Sequence, residues 1–296
     1  MMRTIRTVPA LPDRKKDAHK GDCGRVLIVG GCRGMAGAPC LAAQAAYRAG
    51  AGLVKVAVPE SIWNIVAAKL DECTTTGLPE TRHGAFSRQA AKNIQALAAE
   101  ANVVVCGPGL SAAPDAPSVA REVVRDIERA LVLDADGLNA FVGAHLNKLS
   151  AAQKRHGGRT LVLTPHPGEA ARLLDTTTGR IQQDRRRAAL ELCRRAGPDA
   201  VVVLKGAGTI VADAKRIHVN TTGNPGMATG GTGDVLSGVI GALLGQGMNG
   251  FDAAVLGVYL HGLAGDLTAK RLGEWSLMAG DLLEDLPRAI VKHNHR

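Results

Sequence analysis

The sequence predicts an α/β fold in which helices cover both faces of a mainly parallel sheet. Short apolar segments rich in Val, Leu and Ile alternate along the chain with longer segments of helical pattern. The apolar segments show no polar alternation, so both faces of each strand are expected to be buried, which is typical of parallel sheets. Because aromatic residues make up only 2% of the chain against 46% hydrophobic residues, aliphatic side chains must build the core.

The first half of the chain predicts five strands, each followed by a loop and a helical segment. They lie at residues 25–29, 53–58, 103–106, 131–134 and 161–164, and an alanine-rich helix that follows the first ends near Gly50. Distinctive loops follow four of these strands, at residues 30–38, 107–110, 134–139 and 164–169. Ligands bind beyond the carboxyl ends of parallel strands, so these loops are candidate parts of one site, although each alone could be ordinary turn chemistry.

The second half predicts a basic helix, a group of short strands and three more helices. The basic helix covers residues 181–195, and the strands 200–204, 209–212 and 217–219 indicate a hairpin at the edge of the sheet. The last helices are expected at residues 234–244, 252–271 and 277–291. No polar linker, repeat or change of composition divides the chain, so residues 1–296 are expected to form a single domain.

Composition and charge argue against several classes of partner. The net charge is +9, but the basic residues are dispersed and no aromatic platform accompanies them, so nucleic acid is not expected. The six cysteines show no Cys-x-x-Cys spacing and indicate a reducing cytoplasm rather than a disulfide framework. No signal peptide or membrane-spanning run is recognisable, so we expect a cytoplasmic, unprocessed protein with no membrane partner.

The glycine-rich loop at residues 223–238 is the most informative segment. A candidate anion cradle consists of Gly230, Gly231, Thr232 and Gly233, because glycine lets several N–H groups converge on one anion at a helix N-terminus. Asp234 would repel a phosphate bound there, unless its carboxylate takes a proton from an attacking hydroxyl or holds a metal ion. The loop therefore predicts phosphoryl chemistry.

A second candidate loop links two of the short strands. It consists of Lys205, Gly206, Ala207, Gly208 and Thr209. Its N–H groups, ammonium group and hydroxyl suit a nucleotide, although hairpin glycines would explain the same pattern. The chain has no Walker A sequence, and residues 107–109 do not complete the Rossmann Gly-x-Gly-x-x-Gly pattern.

Three other candidates have simple structural alternatives. His166 lies between two prolines after a strand, so it is a candidate binding contact or a cap of the next helix. Asp134 and Asp136 could orient a metal ion or its waters, but Asp136 could equally cap a helix, and the structural role is favoured for both. Cys32 has no evident His or Asp partner and is expected to pack in the core.

These segments together resemble the NAD(P)H-hydrate dehydratase family, whose members have a ribokinase-like fold. The resemblance covers most of the chain and is most specific at residues 223–234. The other matching segments are residues 19–31, 34–38, 47–54, 107–110, 134–139, 164–169, 204–209 and 257–266. The family often has serine where this chain has Cys32 and alanine where it has Gly137.

The resemblance implies repair of a damaged nicotinamide cofactor. The S-epimer of NADHX or NADPHX would be dehydrated to NADH or NADPH while ADP is converted to AMP and phosphate; ATP remains open as an alternative donor. Asp234 would be the general base. By the same resemblance the hydrated dinucleotide would contact Ala38, Gly109, His166 and Asp234, the nucleotide would contact Gly233 and the loop from Lys205 to Thr209, and Mg²⁺ would bridge the phosphates through ligands that the sequence does not identify.

The resemblance also implies particular partners. A homo-oligomer, expected from the family to be a tetramer, and a separate NAD(P)HX epimerase would accompany the enzyme. Two other functions fit the same motifs: a ribokinase-fold kinase for a small alcohol, and a non-catalytic nucleotide-binding module. The number of matching loops favours the dehydratase over the kinase, and loss of turnover with retained binding in an Asp234→Asn variant would argue against the binding module.

Overall fold

The computed structural model of the chain describes residues 2–295. Within them, the strands are β1 (Arg3–Ile5), β2 (Arg25–Val29), β3 (Leu53–Pro59), β4 (Thr74–Leu78), β5 (Val103–Cys106), β6 (Ala130–Leu133), β7 (Leu161–Leu163), β8 (Ala200–Leu204), β9 (Ile210–Ala212) and β10 (Arg216–Val219). The helices are α1 (Gly37–Arg48), α2 (Glu60–Ala67), α3 (Ala90–Ala99), α4 (Ala116–Asp126), α5 (Asp136–Asn139), α6 (Asn147–Arg155), α7 (Pro167–Leu174), α8 (Thr178–Gln183), α9 (Arg185–Ala196), α10 (Thr232–Gly245), α11 (Gly250–Leu272) and α12 (Ala279–Asn294).

All the strands belong to one sheet in the order β1-β10-β9-β8-β7-β6-β5-β2-β3-β4. Neighbouring strands run parallel except at β9, which is antiparallel to both β8 and β10. The predicted α/β fold with a mainly parallel sheet is therefore confirmed.

Helices cover the sheet on both faces, and the strand residues alternate between two apolar cores. Val26 and Ile28 of β2 belong to the core beneath α1, α2, α10, α11 and α12. Leu27 and Val29 point the other way, into the core formed with helices α3 to α9. Because successive side chains of a strand face opposite sides, a strand buried on both faces must be apolar throughout, as the sequence of β2 is.

Several details differ from the sequence-based prediction, and strands β1 and β4 were not predicted. The basic helix predicted over residues 181–195 is two helices, α8 and α9, because the backbone leaves the helical region at Asp184 (φ −144°, ψ 77°) and the Asp184 carboxylate caps α9 by accepting from the Arg187 N–H at 2.9 Å. The predicted hairpin strands pair as expected, but the edge of the sheet is β1, which adds in parallel to β10.

The topology places five loop segments side by side. Strands β8, β7, β6, β5 and β2 are consecutive neighbours and parallel, so the residues that follow them line one edge of the sheet. Helix α10, which packs across β2, β5 and β6, brings its N-terminus to the same edge. Among residues 2–295, no helix is both long enough and apolar enough to cross a membrane.

Candidate active site

Helix α10 begins in the glycine-rich loop, with Asp234 in its first turn. Its N-cap, Gly231, has a φ of +91°, where a side chain would be strained and where a Cβ would lie 2.6 Å from Leu41 Cδ1. The first intrahelical bond runs from the Val235 N–H to the Gly231 carbonyl, so the N–H groups of Thr232, Gly233 and Asp234 have no acceptor within the helix. These groups form the kind of donor set that binds an anion at a helix N-terminus.

The carboxyl group of Asp234 has a strongly shifted acidity. Burial is the main cause, and repulsion from Asp134 adds to it, while the positive charge of Lys205 opposes both. The net effect raises the pKa of Asp234 from 3.8 to about 7. A carboxylate with this pKa is a stronger base than an ordinary aspartate and is still substantially ionised near neutral pH, which is the property that a general base needs.

Lys205 occupies the centre of a cluster of carboxylates. Its Nζ lies 2.8 Å from Asp134 Oδ1 and 3.9 Å from Glu169 Oε2, and a Cβ on Gly233 would lie 3.2 Å from it. Burial would lower the pKa of Lys205, but the carboxylates of Asp134 and Glu169 outweigh it and raise the pKa. The ammonium group is therefore charged and stands next to the N-terminus of α10.

Arg185, which the sequence did not indicate, fixes the start of the loop after Lys205. Arg185 Nη2 donates to the carbonyl oxygens of Leu204 (3.0 Å) and Lys205 (3.2 Å). A Cβ on Gly206, whose φ is +131°, would lie 2.8 Å from the same guanidinium, and the Thr209 hydroxyl closes the turn by donating to the Gly206 carbonyl at 2.9 Å. The Lys205 side chain thus turns toward the cluster, while Gly206, Ala207 and Gly208 form the turn itself.

His166 does cap the following helix, as one of its two interpretations required. Its Nδ1 accepts from the N–H groups of Gly168 (3.0 Å) and Glu169 (3.3 Å), while Glu169 Oε2 accepts from the His166 N–H at 2.7 Å. Burial, followed by the charges of Lys205 and Arg172, lowers the pKa of His166, so the ring is neutral and carries its proton on Nε2. The side chain is 50% exposed, and Nε2 lies 3.5 Å from Glu169 Oε1.

Hydrogen bonds connect the loops that follow β5, β6 and β7. Asp136 Oδ2 accepts from the Ser111 N–H at 2.9 Å, and Asp136 Oδ1 accepts from Asn139 Nδ2 at 3.1 Å. Asn139 Oδ1 in turn accepts from the Arg172 guanidinium at 2.9 and 3.1 Å. Asp136 is therefore engaged in fixing loop positions, and Asp134 accepts from the Thr164 hydroxyl (2.7 Å) as well as from Lys205.

Close backbone approaches shape the other side of the site. A Cβ on Gly109 would lie 2.9 Å from the Met35 carbonyl oxygen and 3.1 Å from Ala38 Cβ, so the two predicted substrate contacts, Ala38 and Gly109, are neighbours. A Cβ on Gly107 would collide with the Asp134 carbonyl. Cys32 lies in the core as expected, and burial raises the pKa of its thiol.

Side chains of helix α11 form hydrogen bonds that fix the glycine-rich loop. The partly buried His261 donates from Nε2 to the Thr232 carbonyl at 2.9 Å, and desolvation lowers its pKa to about 4, so the ring is neutral. Asp266 accepts from the Gly223 N–H (3.0 Å) and from Asn224 Nδ2 (3.1 Å). The Thr232 hydroxyl donates to the carbonyls of Met227 and Thr229 at 3.1 and 3.0 Å, so Thr232 contributes its N–H group rather than its hydroxyl to the cradle.

Known proteins match this chain along nearly its whole length. The sequence model of NAD(P)H-hydrate dehydratase matches residues 26–288. The chain belongs to the NAD(P)H-hydrate dehydratase family. It is 48% identical to the bifunctional NAD(P)H-hydrate repair enzyme of Moorella thermoacetica over 95% of this chain and 52% of that protein, so it spans about half the length of that relative. It is 40% identical to the ADP-dependent (S)-NAD(P)H-hydrate dehydratase of Neisseria meningitidis over 91% of this chain and 86% of that protein.

Two solved structures have the same fold. A ribokinase-like superfamily protein from Enterococcus faecalis superposes with a TM-score of 0.79 at 25% identity, over 100% of this chain and 97% of that one. The ADP/ATP-dependent NAD(P)H-hydrate dehydratase of Bacillus subtilis, crystallised with ATP and Mg²⁺, superposes with a TM-score of 0.78 at 27% identity, over 96% of this chain and 95% of that one. The ribokinase-like fold is thereby confirmed.

Proposed function

We propose that this chain is an ADP-dependent dehydratase that converts the S-epimers of NADHX and NADPHX to NADH and NADPH. The observation that carries the proposal is Asp234, a carboxyl group with a pKa of about 7 in the first turn of α10, which interacts with the charge of Lys205 and follows the free N–H groups of Thr232 and Gly233. Family membership supports the reaction class, and the name of the relative from N. meningitidis supports ADP and the S-epimer.

In the first step the ring hydroxyl of the substrate is phosphorylated. Asp234 takes the hydroxyl proton as the oxygen attacks the terminal phosphorus of ADP, the bond to the bridging oxygen breaks, and AMP leaves. The N–H groups of Thr232 and Gly233 would stabilise charge on the transferring phosphoryl group, and each well-placed donor contributes about 3 kcal/mol in comparable sites.

In the second step the phosphorylated ring loses phosphate. Hydroxide is a poor leaving group, and phosphate is a much better one, so phosphorylation lowers the barrier to elimination. The C–O bond breaks, a neighbouring ring carbon gives up a proton, and the dihydronicotinamide ring is restored. The products are the reduced cofactor, AMP and phosphate.

The other residues bind and orient the two substrates in this proposal. Gly109 and Ala38 give the dinucleotide a close backbone approach, and the half-exposed side chain of His166 donates to it from Nε2. Lys205 places positive charge beside the phosphates of ADP, and the turn formed by Gly206, Ala207, Gly208 and Thr209 together with Gly233 offers backbone N–H groups.

Magnesium fits this site only as an ion held largely by the nucleotide. Among residues 2–295 there is no group of three His, Cys, Asp or Glu side chains arranged to hold a metal. Mg²⁺ commonly uses one or two carboxylates together with phosphates and water, and Asp134 is the carboxylate beside Gly233 that could contribute. When bound, the ion would neutralise charge on the phosphates.

We propose only the dehydratase step for these residues. Conversion of the other epimer would come from a separate NAD(P)HX epimerase. The tetramer that the family resemblance implies is likewise a proposal, and light scattering of the purified chain at several concentrations tests it.

Turnover of the purified chain tests the proposed function. Incubation with NADHX, Mg²⁺ and either ADP or ATP should regenerate the absorbance of reduced nicotinamide, faster with ADP than with ATP. AMP should accumulate in step with NADH when ADP is the donor. Failure to form reduced nicotinamide with both donors would exclude the dehydratase, and phosphorylation of a small alcohol in its place would identify a kinase.

A further inference from the structure

A cavity of about 460 Å³ with a cationic wall lies on the α4–α6 side of the sheet, away from Asp234. Arginine and lysine side chains dominate its wall. They are Arg88, Arg121, Arg125, Lys148 and Arg155, and Glu122 is the carboxylate among the lining residues. None of the candidate active-site residues described above lines this cavity.

The spacing of the cations places them on two helix faces. Arg121 and Arg125 are four residues apart on α4, and Lys148 and Arg155 are seven residues apart on α6, so each pair lies on one side of its helix. Between Lys148 and Arg155 the cavity is lined by Ala151 and Ala152, whose small side chains leave the space open. The cavity therefore has a cationic face on each of α4 and α6, and the two alanines of α6 leave room between them.

Most of this charge is not neutralised within the protein. Arg125 binds the carboxylate of Asp126 at 2.6 and 2.8 Å, and Arg88 lies 3.8 Å from Glu122. Within residues 2–295, Arg121, Lys148 and Arg155 have no carboxylate oxygen within 4.0 Å. Arg155 is nevertheless near Asp126: the hydrogen bond from Arg125 is the main interaction that lowers the pKa of Asp126, and the charge of Arg155 adds to it. Like charges that converge on a concave surface repel each other unless an anion lies between them.

One of these cations is already oriented. Arg121 donates to the Ala140 carbonyl at 3.1 Å and to the Ser118 hydroxyl at 2.9 Å, so its guanidinium is held in place without losing charge to a carboxylate. The exposed Ala151 also lines the cavity, together with the buried Val124 and Phe141. The wall therefore offers both fixed positive charge and an apolar surface.

We propose that this cavity binds a small metabolite that carries two or more phosphate groups. Arg121, Lys148 and Arg155 contact the phosphates, and the organic part of the molecule lies against the exposed Ala151. The volume is within the range of small-molecule sites. A nucleic acid is the less suitable ligand, because Phe141 is buried and cannot stack on an exposed base.

Calorimetric titration of the full chain with pyrophosphate tests the proposal. The decisive variant is Lys148→Glu combined with Arg155→Glu, two exposed residues outside the candidate active site. The matched control is Lys154→Glu combined with Lys16→Glu, which changes the net charge equally at exposed positions that do not line the cavity. Ala151→Phe is a third variant, since it fills the cavity without altering charge.

We expect the wild type and the control to bind pyrophosphate at the cavity, and the Lys148 and Arg155 variant to weaken that binding by about tenfold or more. Ala151→Phe should weaken it as well, and the unfolding midpoints of all variants should stay close to that of the wild type. The proposal is wrong if the cavity variants bind as tightly as the wild type, or if the control loses as much affinity as they do. Neither outcome depends on dehydratase activity, which a turnover assay measures separately.

Discussion

At the scale of single residues, burial and the charges around Asp234 set the pKa of the proposed general base. Burial and Asp134 raise its pKa, and Lys205 lowers it. A general base must be ionised to accept a proton, so we expect kcat/KM to increase with pH through about 7, the pKa of Asp234.

The two neighbouring charges should move this pH profile in opposite directions. Asp134→Asn removes a negative charge and should lower the pKa of Asp234, which moves the rise of kcat/KM to lower pH. Lys205→Met removes a positive charge and should move the rise to higher pH. Profiles of both variants measured beside the wild type check this, and shifts of the same sign would show that another group controls the rate.

Asp234 should also reduce the stability of the folded protein at neutral pH. Its pKa is raised in the folded state, so the fold favours the protonated form, and this contribution is lost as pH rises from about 4 through 7. Asp234→Asn should therefore raise the unfolding temperature more at about pH 8 than at about pH 5. Thermal unfolding at both values measures the difference, and an equal effect at the two values would mean that the carboxyl group is not shifted.

At the scale of elements, the start of α10 depends on one glycine. Gly231 combines a positive φ with contacts to Leu41 and Ala279 that leave no room for a Cβ, whereas nothing lies within 4 Å of a Cβ built on Gly230. Gly231→Ala should lower the free energy of unfolding by at least about 1–2 kcal/mol and should reduce turnover. Gly230→Ala is the matched control and should change stability by less than about 0.5 kcal/mol. Chemical denaturation of both variants measures the contrast.

The elements that the sequence predicts well are those whose residues carry the signal locally. Strands β2, β5 and β8 are apolar runs, and the start of α10 is marked by its glycines. Strand β1 was not predicted, because Arg3, Thr4 and Ile5 show no pattern, and their partners in β10 lie more than two hundred residues away in the chain. The break between α8 and α9 was missed because an Asp can occupy a helix interior as well as an N-cap. Only the structure shows that the Asp184 side chain caps α9.

For the candidate site too, the sequence predicted the residues that a local pattern marks and missed those whose partners lie far along the chain. Loop position indicated Lys205, His166, Asp134 and Asp234, because each follows a strand or begins a helix. The sequence could not show that Lys205 forms an ion pair with Asp134, which is 71 residues away in the chain. It also gave no signal for Arg185, because this residue of α9 acts through carbonyl groups at the end of β8.

At the scale of the whole molecule, the site joins five neighbouring strands and one helix N-terminus. A nucleotide bound there contacts several elements at once and should stabilise the fold. ADP at one hundred times its Kd should add about 2.7 kcal/mol to the free energy of unfolding.

Arg185→Ala should weaken this stabilisation, because it removes the hydrogen bonds to the carbonyls of Leu204 and Lys205 that hold the proposed nucleotide-binding loop, residues 205–209. Arg186→Ala removes an exposed neighbour and serves as the control. Unfolding temperatures at increasing ADP concentration give the comparison. Equal ADP dependence in the two variants would place the nucleotide elsewhere.

The most direct test of the central claim is the rate at which Asp234→Asn forms reduced nicotinamide from NADHX and ADP. We expect kcat to fall by about 10² to 10⁴ while the Kd for ADP stays near the wild-type value, since the amide keeps the shape of the side chain but cannot take the proton. Asp71→Asn, at an exposed position, should leave both quantities unchanged. A kcat near that of the wild type in Asp234→Asn would contradict the assignment of Asp234 as the general base.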